Sequence, residues 1–154
     1  MRSKRKRHLK KDGRCSIIQV KKKAEGIPRA DITISRRGGR MEIAMEMIRL
    51  GRTELTVTKN GFGALPVQRV GMEEAAQILR RAYEGGINYF DTARFYTDSE
   101  EKIGRALGDV REKIIISSKT MATTVDGFWA DLNTSLSLLG TDYIDIYQFH
   151  NPAF

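Results

Sequence analysis

Four side chains that can donate or accept protons occur near the ends of predicted β-strands. Asp91 and Tyr96 follow one apolar run, Lys119 follows the next, and His150 follows the last. The carboxyl ends of parallel strands meet at one edge of a sheet, where enzymes built from βα units carry their active sites. Carboxylate, phenol, amine and imidazole groups are those used in general acid–base catalysis.

Each of these residues also has a structural explanation when it is taken alone. An aspartate before a helix is commonly a cap, and a lysine at the end of a strand commonly faces solvent. A tyrosine or a single histidine is commonly part of the packing. The case for a site therefore depends on all four residues lying at strand ends together.

Short apolar runs predict the strands that must position these side chains. The β-branched run from Ile114 to Ile116 is the clearest, because it suits a strand that is buried on both faces. The first run is predicted to include a small hairpin followed by the first strand of a parallel sheet. The predicted strand segments are 55–62, 87–90, 113–118 and 143–149.

Three helices are predicted between these strands. The first begins near Met72 and ends at Gly85-Gly86, and the second begins with Asp98 and Glu101, which resemble a capping box. The third presents an apolar face that ends at Gly140, and its helical spacing predicts core positions for several residues. Those residues are Phe128, Trp129, Leu132, Leu136 and Leu139. Alternating strands and helices are typical of βα units on a parallel sheet.

Three segments of the sequence resemble the aldo-keto reductase family. They are GINYFDTARFYTDSEEKIGRAL, IIISSK and YIDIYQFHNP, and RLGRTELTVTKNGFGAL also resembles the opening hairpin and first barrel strand of that family. The family's catalytic tetrad is Asp, Tyr, Lys and His in this order, which the resemblance assigns to Asp91, Tyr96, Lys119 and His150. The segment QFHNP resembles the corresponding segment of a bacterial branch of the family, whose members also carry an iron-sulfur cluster domain.

The resemblance implies reduction of an aldehyde or ketone by hydride transfer from NADP or NAD in its reduced form. The new alkoxide must receive a proton, which Tyr96 would supply, while Lys119 as an ammonium beside it would favour loss of that proton. Asp91 would hold the lysine charged and oriented. His150 would donate a hydrogen bond to the substrate oxygen.

The segment GFGALP does not match a dinucleotide-binding fingerprint, because Pro66 stands where the third glycine should be. In the resembled family this stretch borders the nicotinamide and the substrate, so Ala64 and Leu65, together with Asp91, are assigned cofactor contacts. The equally weighted alternative is that Gly61 and Gly63 only permit a tight turn. No metal ligands are assigned.

The resemblance also implies an α/β fold of the TIM type, an eight-stranded (β/α)8 barrel of about 250 residues. The 154-residue chain would hold about the first four strands and three helices of it. In the family, most cofactor contacts come from later strands, so the chain alone is expected to be inactive. Open sheet edges would favour self-association.

The positive charge of the chain is concentrated before Met41. Residues 1–40 hold 15 Lys and Arg against 3 Asp and Glu, whereas the remainder holds 12 against 16. We therefore predict that residues 1–46 form a basic, disordered extension and that residues 47–154 form the half-barrel. Because the basic charge belongs to a tail, nucleic acid is not the expected partner. The family resemblance implies a small carbonyl compound as the partner.

Cysteine content and hydropathy predict a cytoplasmic protein. Cys15 is the only cysteine, and no apolar stretch of secretory or membrane-spanning length occurs. The alternative to an oxidoreductase is a non-catalytic product, either a half-barrel fragment or a basic-tailed binding protein.

Overall fold

The computed structural model describes residues 45–152 of the chain. Most of the extension predicted for residues 1–46 lies outside this part, and the boundary near residue 47 stays a prediction. The six strands are β1 (Met47–Arg49), β2 (Thr56–Thr58), β3 (Phe62–Gly63), β4 (Tyr89–Asp91), β5 (Ile115–Thr120) and β6 (Ile146–Phe149). The three α-helices are α1 (Met72–Glu84), α2 (Ser99–Leu107) and α3 (Val125–Leu139), and 3₁₀ turns cover Leu65–Arg69 and Gly108–Lys113.

The strands form a hairpin and a separate parallel sheet, as predicted. In the hairpin, β1 runs antiparallel to β2, with Met47 opposite Thr58. The sheet has the order β3-β4-β5-β6, and all three neighbouring pairs are parallel. This order follows the chain, so each helix connects adjacent strands.

Most strand boundaries differ from the predictions by up to three residues. β4 ends at Asp91 and β5 runs to Thr120, so Asp91 and Lys119 lie within strands rather than beyond their ends. β6 begins at Ile146 instead of Tyr143, where the preceding Asp145 turns its carboxylate toward β5. One Asp145 oxygen accepts hydrogen bonds from the backbone N–H of Ile116 at 3.0 Å and from Arg111 at 2.8 Å. A side chain therefore supplies the partner that a longer strand would have supplied.

Both faces of the sheet are covered by apolar residues. On one face, Phe90, Ile116 and Tyr147 pack among residues of the three helices. On the other face, Ile115 and Ile146 pack against the hairpin residues Leu55 and Val57. The prediction that the run around Ile116 is buried on both faces is confirmed. Because Ile115 and Ile146 are the first residues of β5 and β6, the hairpin lies against the amino ends of these strands.

Left-handed glycines follow the first and third helices as the sequence predicts. Gly86 has φ +97° after α1, and Gly140 has φ +61° after α3. At the other end of α3, the Thr124 hydroxyl accepts from the backbone N–H of Gly127 at 3.1 Å. In the part of the chain that the structure describes, no helix is long and apolar enough to cross a membrane.

The core position predicted for Trp129 is wrong. Its side chain is 55% exposed, whereas the neighbouring Phe128 turns toward the sheet. The Phe128 ring lies 5.4 Å from the Tyr147 ring and 5.6 Å from the Phe149 ring, measured between centroids. Successive helical residues differ by about 100° in direction, so only one of two adjacent aromatic residues can face the sheet.

The capping box predicted at the start of α2 is also wrong. Asp98 stands at the N-cap position without a capping hydrogen bond, and Glu101 pairs with Arg105 instead. The Asp98 carboxylate lies 2.8 Å from the buried ammonium of Lys102. Lys102 also donates to the carbonyl oxygens of Val67 and Val70, at 3.0 and 2.8 Å. Pairing with this buried charge replaces the cap.

The ion pair between Asp98 and Lys102 is expected to make the free energy of unfolding depend on pH in the acid range. The hydrogen bond from Lys102 lowers the pKa of Asp98, so the carboxylate adds stability above about pH 4 and loses it as pH falls through its lowered pKa. We expect Lys102→Met to reduce stability near neutral pH and to flatten this acid dependence. Urea unfolding across the acid range measures both. Lys59→Met, which removes only an exposed pair with Glu46, is the control, and an unchanged acid slope in Lys102→Met would contradict the expectation.

Helices α2 and α3 approach each other most closely at Gly104. A Cβ atom added there would lie 2.7 Å from the carbonyl oxygens of both Leu138 and Leu139. Real Cβ atoms do not approach backbone oxygens this closely, so only glycine fits at this position without a shift of one helix.

Candidate active site

The residues singled out in the sequence lie at the carboxyl ends of neighbouring strands. Asp91 is the last residue of β4, Lys119 lies near the end of β5, and His150 follows β6. Tyr96 belongs to the loop between β4 and α2. The backbone N–H of His150 donates to the Thr120 carbonyl at 2.8 Å, which fixes its position beside β5.

An ion pair between Asp91 and Lys119 forms the centre of this group. The Lys119 Nζ atom lies 2.6 Å from Asp91 Oδ2 and donates to the Thr92 carbonyl at 2.8 Å. The lysine side chain is 15% exposed and that of the aspartate 34%. Two oxygen partners and partial exclusion from water hold the ammonium in one place.

The rings of Tyr96 and His150 lie beside this ion pair. Their centroids are 5.6 Å apart in an edge-on arrangement, and Lys119 Nζ lies 5.7 Å from the centre of the tyrosine ring. Among the described residues, the buried Nδ1 atom of His150 has no hydrogen-bond partner. The structure thus brings an acid, a phenol, an amine and an imidazole to one rim.

Of the three residues assigned to the cofactor, Ala64 and Leu65 differ in accessibility. Ala64 is fully buried in the core, and its backbone N–H donates to the Asp91 carbonyl at 2.8 Å. Leu65 is 41% exposed at the start of the 3₁₀ turn that follows β3. Their cofactor contacts stay predictions, and Leu65 has the side chain that could make one.

Close packing explains only one of the two nearby glycines. A Cβ on Gly61 would lie 2.8 Å from a ring carbon of Tyr89, whereas a Cβ on Gly63 would meet nothing within 4 Å. Close packing against Tyr89 therefore accounts for Gly61. It does not account for Gly63, which ends β3 beside Asp91.

A second group of polar side chains, which could not be identified from the sequence, lies closer to the amino ends of the strands than the ion pair does. Gln148 donates through Nε2 to the Ser117 hydroxyl at 3.1 Å. Burial raises the pKa of Tyr89, which also interacts with Ser117. Alternation along β5 was the available signal, because Ser117 and Lys119 are two residues apart and share one face.

A surface cleft lies at the opposite end of the sheet. It is lined by residues 108–113 and 140–143, which precede β5 and β6. The strands separate it from the ion pair, so it plays no part in the site. Within residues 45–152, no three His, Cys, Asp or Glu side chains come together as metal ligands would.

Comparison with known proteins identifies the family. Residues 58–154 match the model of the aldo/keto reductase family. The uncharacterized oxidoreductase YqkF of Bacillus subtilis is 35% identical over 122 residues, which are 69% of this chain and 39% of that protein. With this match over more than half of its length, the chain belongs to the aldo/keto reductase family.

Solved structures agree with this assignment and with the predicted barrel. The thermostable aldo-keto reductase Tm1743 in complex with the inhibitor epalrestat has a TM-score of 0.66 and 32% identity, covering 71% of this chain and 44% of that one. An aldo/keto reductase from Klebsiella pneumoniae, in complex with NADP and acetate, has a TM-score of 0.55 and 27% identity, covering 60% and 35%. These neighbours are (β/α)8 barrels, and the present chain spans less than half the length of each.

Proposed function

We propose that this chain carries the proton-transfer site of an NAD(P)H-dependent oxidoreductase that reduces aldehydes or ketones to alcohols. The observation that carries the proposal is the ion pair between Asp91 and Lys119, 2.6 Å long, beside the Tyr96 ring. Membership of the aldo/keto reductase family supports it.

Each residue has one role in this reaction. Tyr96 gives its hydroxyl proton to the carbonyl oxygen as the carbon is reduced, and the Lys119 ammonium stabilises the phenolate that remains. Asp91 keeps the ammonium charged and oriented. His150 aligns the substrate oxygen by donating a hydrogen bond to it.

The cofactor would be NADPH or NADH, whose reduced nicotinamide supplies the hydride when it is bound. Of this chain's residues, Asp91 at the end of β4 and Leu65 at the exposed start of the 3₁₀ turn are those we assign to it. Ala64 supports Asp91 through its backbone N–H. The complex of the Klebsiella pneumoniae relative with NADP supports the choice of cofactor. A cytoplasmic location stays a prediction.

The proposal can be tested in a hybrid protein that combines this chain with the later strands and helices of a related barrel. Residues 1–152 are joined to the later βα units of Tm1743, and the purified hybrid is mixed with NADPH or NADH and a reactive aldehyde. Loss of reduced-cofactor absorbance is the expected result. A hybrid that folds and binds cofactor, yet reduces neither aldehydes nor ketones, would contradict the proposal.

The chain by itself is expected to associate through the β6 side of its sheet. Val125, Trp129 and Phe149 are exposed there by 67, 55 and 46%. Adjacent exposed apolar side chains next to an outer strand favour association. Light scattering of the 154-residue chain should show assemblies that Trp129→Lys reduces and that Ile48→Lys, on the hairpin, leaves unchanged. A monomeric wild-type chain would contradict this expectation.

A further inference from the structure

Glu100 is a buried carboxylate outside the four residues at the rim. It lies in the first turn of α2 and is 1% exposed. One carboxylate oxygen accepts from the Ser118 hydroxyl at 2.6 Å, and the other pairs with the guanidinium of Arg94. A carboxylate without water is costly unless it is paired in this way, so its place in the fold requires a reason.

The two partners of Glu100 come from the segments that carry the phenol and the amine. Arg94 precedes Tyr96 in the same loop, and Ser118 is the neighbour of Lys119 in β5. The backbone of Arg94 is tied to β5 as well, because its N–H donates to the Lys119 carbonyl at 2.9 Å. Glu100 therefore joins the loop of Tyr96 to the strand of Lys119.

A favourable interaction with the helix N-terminus does not explain this arrangement. Glu101, in the same turn of α2, serves that purpose with its side chain 35% exposed and pairs with Arg105. An acidic residue that acted only on the helix dipole would not need to be buried against β5. Glu101 thus provides a matched comparison for Glu100.

We propose that Glu100 is a positioning residue, which through Arg94 and Ser118 holds the loop of residues 92–98 so that Tyr96 faces Lys119 and His150. The importance of this position rests on the proposed function, because proton transfer requires the phenol to stay close to the reacting oxygen. The link itself is a property of the folded chain. It can be measured without any turnover.

The test uses amide hydrogen exchange and NMR of the full 154-residue chain. In Glu100→Gln, which keeps the shape of the side chain and removes its charge, exchange at the amides of Arg94 and Tyr96 should speed up about tenfold or more. Exchange in β5 and β6 should be unchanged. The nuclear Overhauser contact between the rings of Tyr96 and His150 should weaken, and Glu101→Gln should alter neither signal.

Two results would overturn the proposal. Equal acceleration at all amides would mean that Glu100 only stabilises the fold, and an unchanged loop would mean that it positions nothing. If Glu100→Gln does not fold, Ser118→Ala carries the same expectations, because it removes one of the two Glu100 contacts and leaves the ion pair with Arg94 in place. Failure of the hybrid to reduce carbonyls would contradict the proposed function alone, since exchange and ring contacts need no turnover.

Discussion

Tyr96→Phe is expected to lower carbonyl reduction by about a hundredfold or more in the hybrid with Tm1743, with cofactor binding nearly unchanged. The substitution removes only the hydroxyl that gives up the proton, and a general acid commonly contributes about 10²- to 10⁴-fold. The aromatic ring remains to pack beside His150. A loss confined to the chemical step is therefore the expected pattern.

Stopped-flow turnover and a cofactor-fluorescence titration separate these two effects. Tyr83→Phe is the matched control, because Tyr83 lies in α1 and packs against the helical core. That variant should keep both activity and cofactor affinity. Undiminished turnover in Tyr96→Phe would remove this residue from the role of acid, and a parallel loss of cofactor binding would mean that the ring position had changed.

Gly104→Ala is expected to destabilise the folded chain by about 1–3 kcal/mol. The added Cβ would lie 2.7 Å from two backbone carbonyl oxygens of α3, which cannot turn aside as the end of a flexible side chain can. In an ordinary helix interior the same substitution stabilises by about 1 kcal/mol, because alanine has the higher helix propensity. The sign of the effect therefore reports the close approach of α2 and α3.

Urea unfolding of the 154-residue chain, followed by circular dichroism, measures this difference. Gly108→Ala is the control, because Gly108 follows α2 in a right-handed conformation and a Cβ there would meet nothing within 4 Å. It should unfold at the same urea concentration as the wild type or higher. A Gly104→Ala variant as stable as the wild type would show that the two helices can separate at little cost.

The amino-acid sequence alone determined the order of the elements and the ends of two helices. Apolar spacing and terminal glycines are local signals, so α1 and α3 end where Gly85-Gly86 and Gly140 predict. The parallel order of the strands follows from connections long enough to contain a helix. Because parallel strands end at one edge, the rim containing Asp91 and His150 could also be predicted.

Only the tertiary structure decided which partners the charged side chains would find. Lys102 reaches the Val67 carbonyl, 35 residues earlier in the chain, and this contact diverts Asp98 from its predicted cap. Glu100 and Glu101 are adjacent residues of the same type, yet one is buried against β5 and the other pairs at the surface. Sequence spacing defines the direction of a side chain on its own helix, whereas its burial depends on elements that are distant in the chain and meet it only after folding.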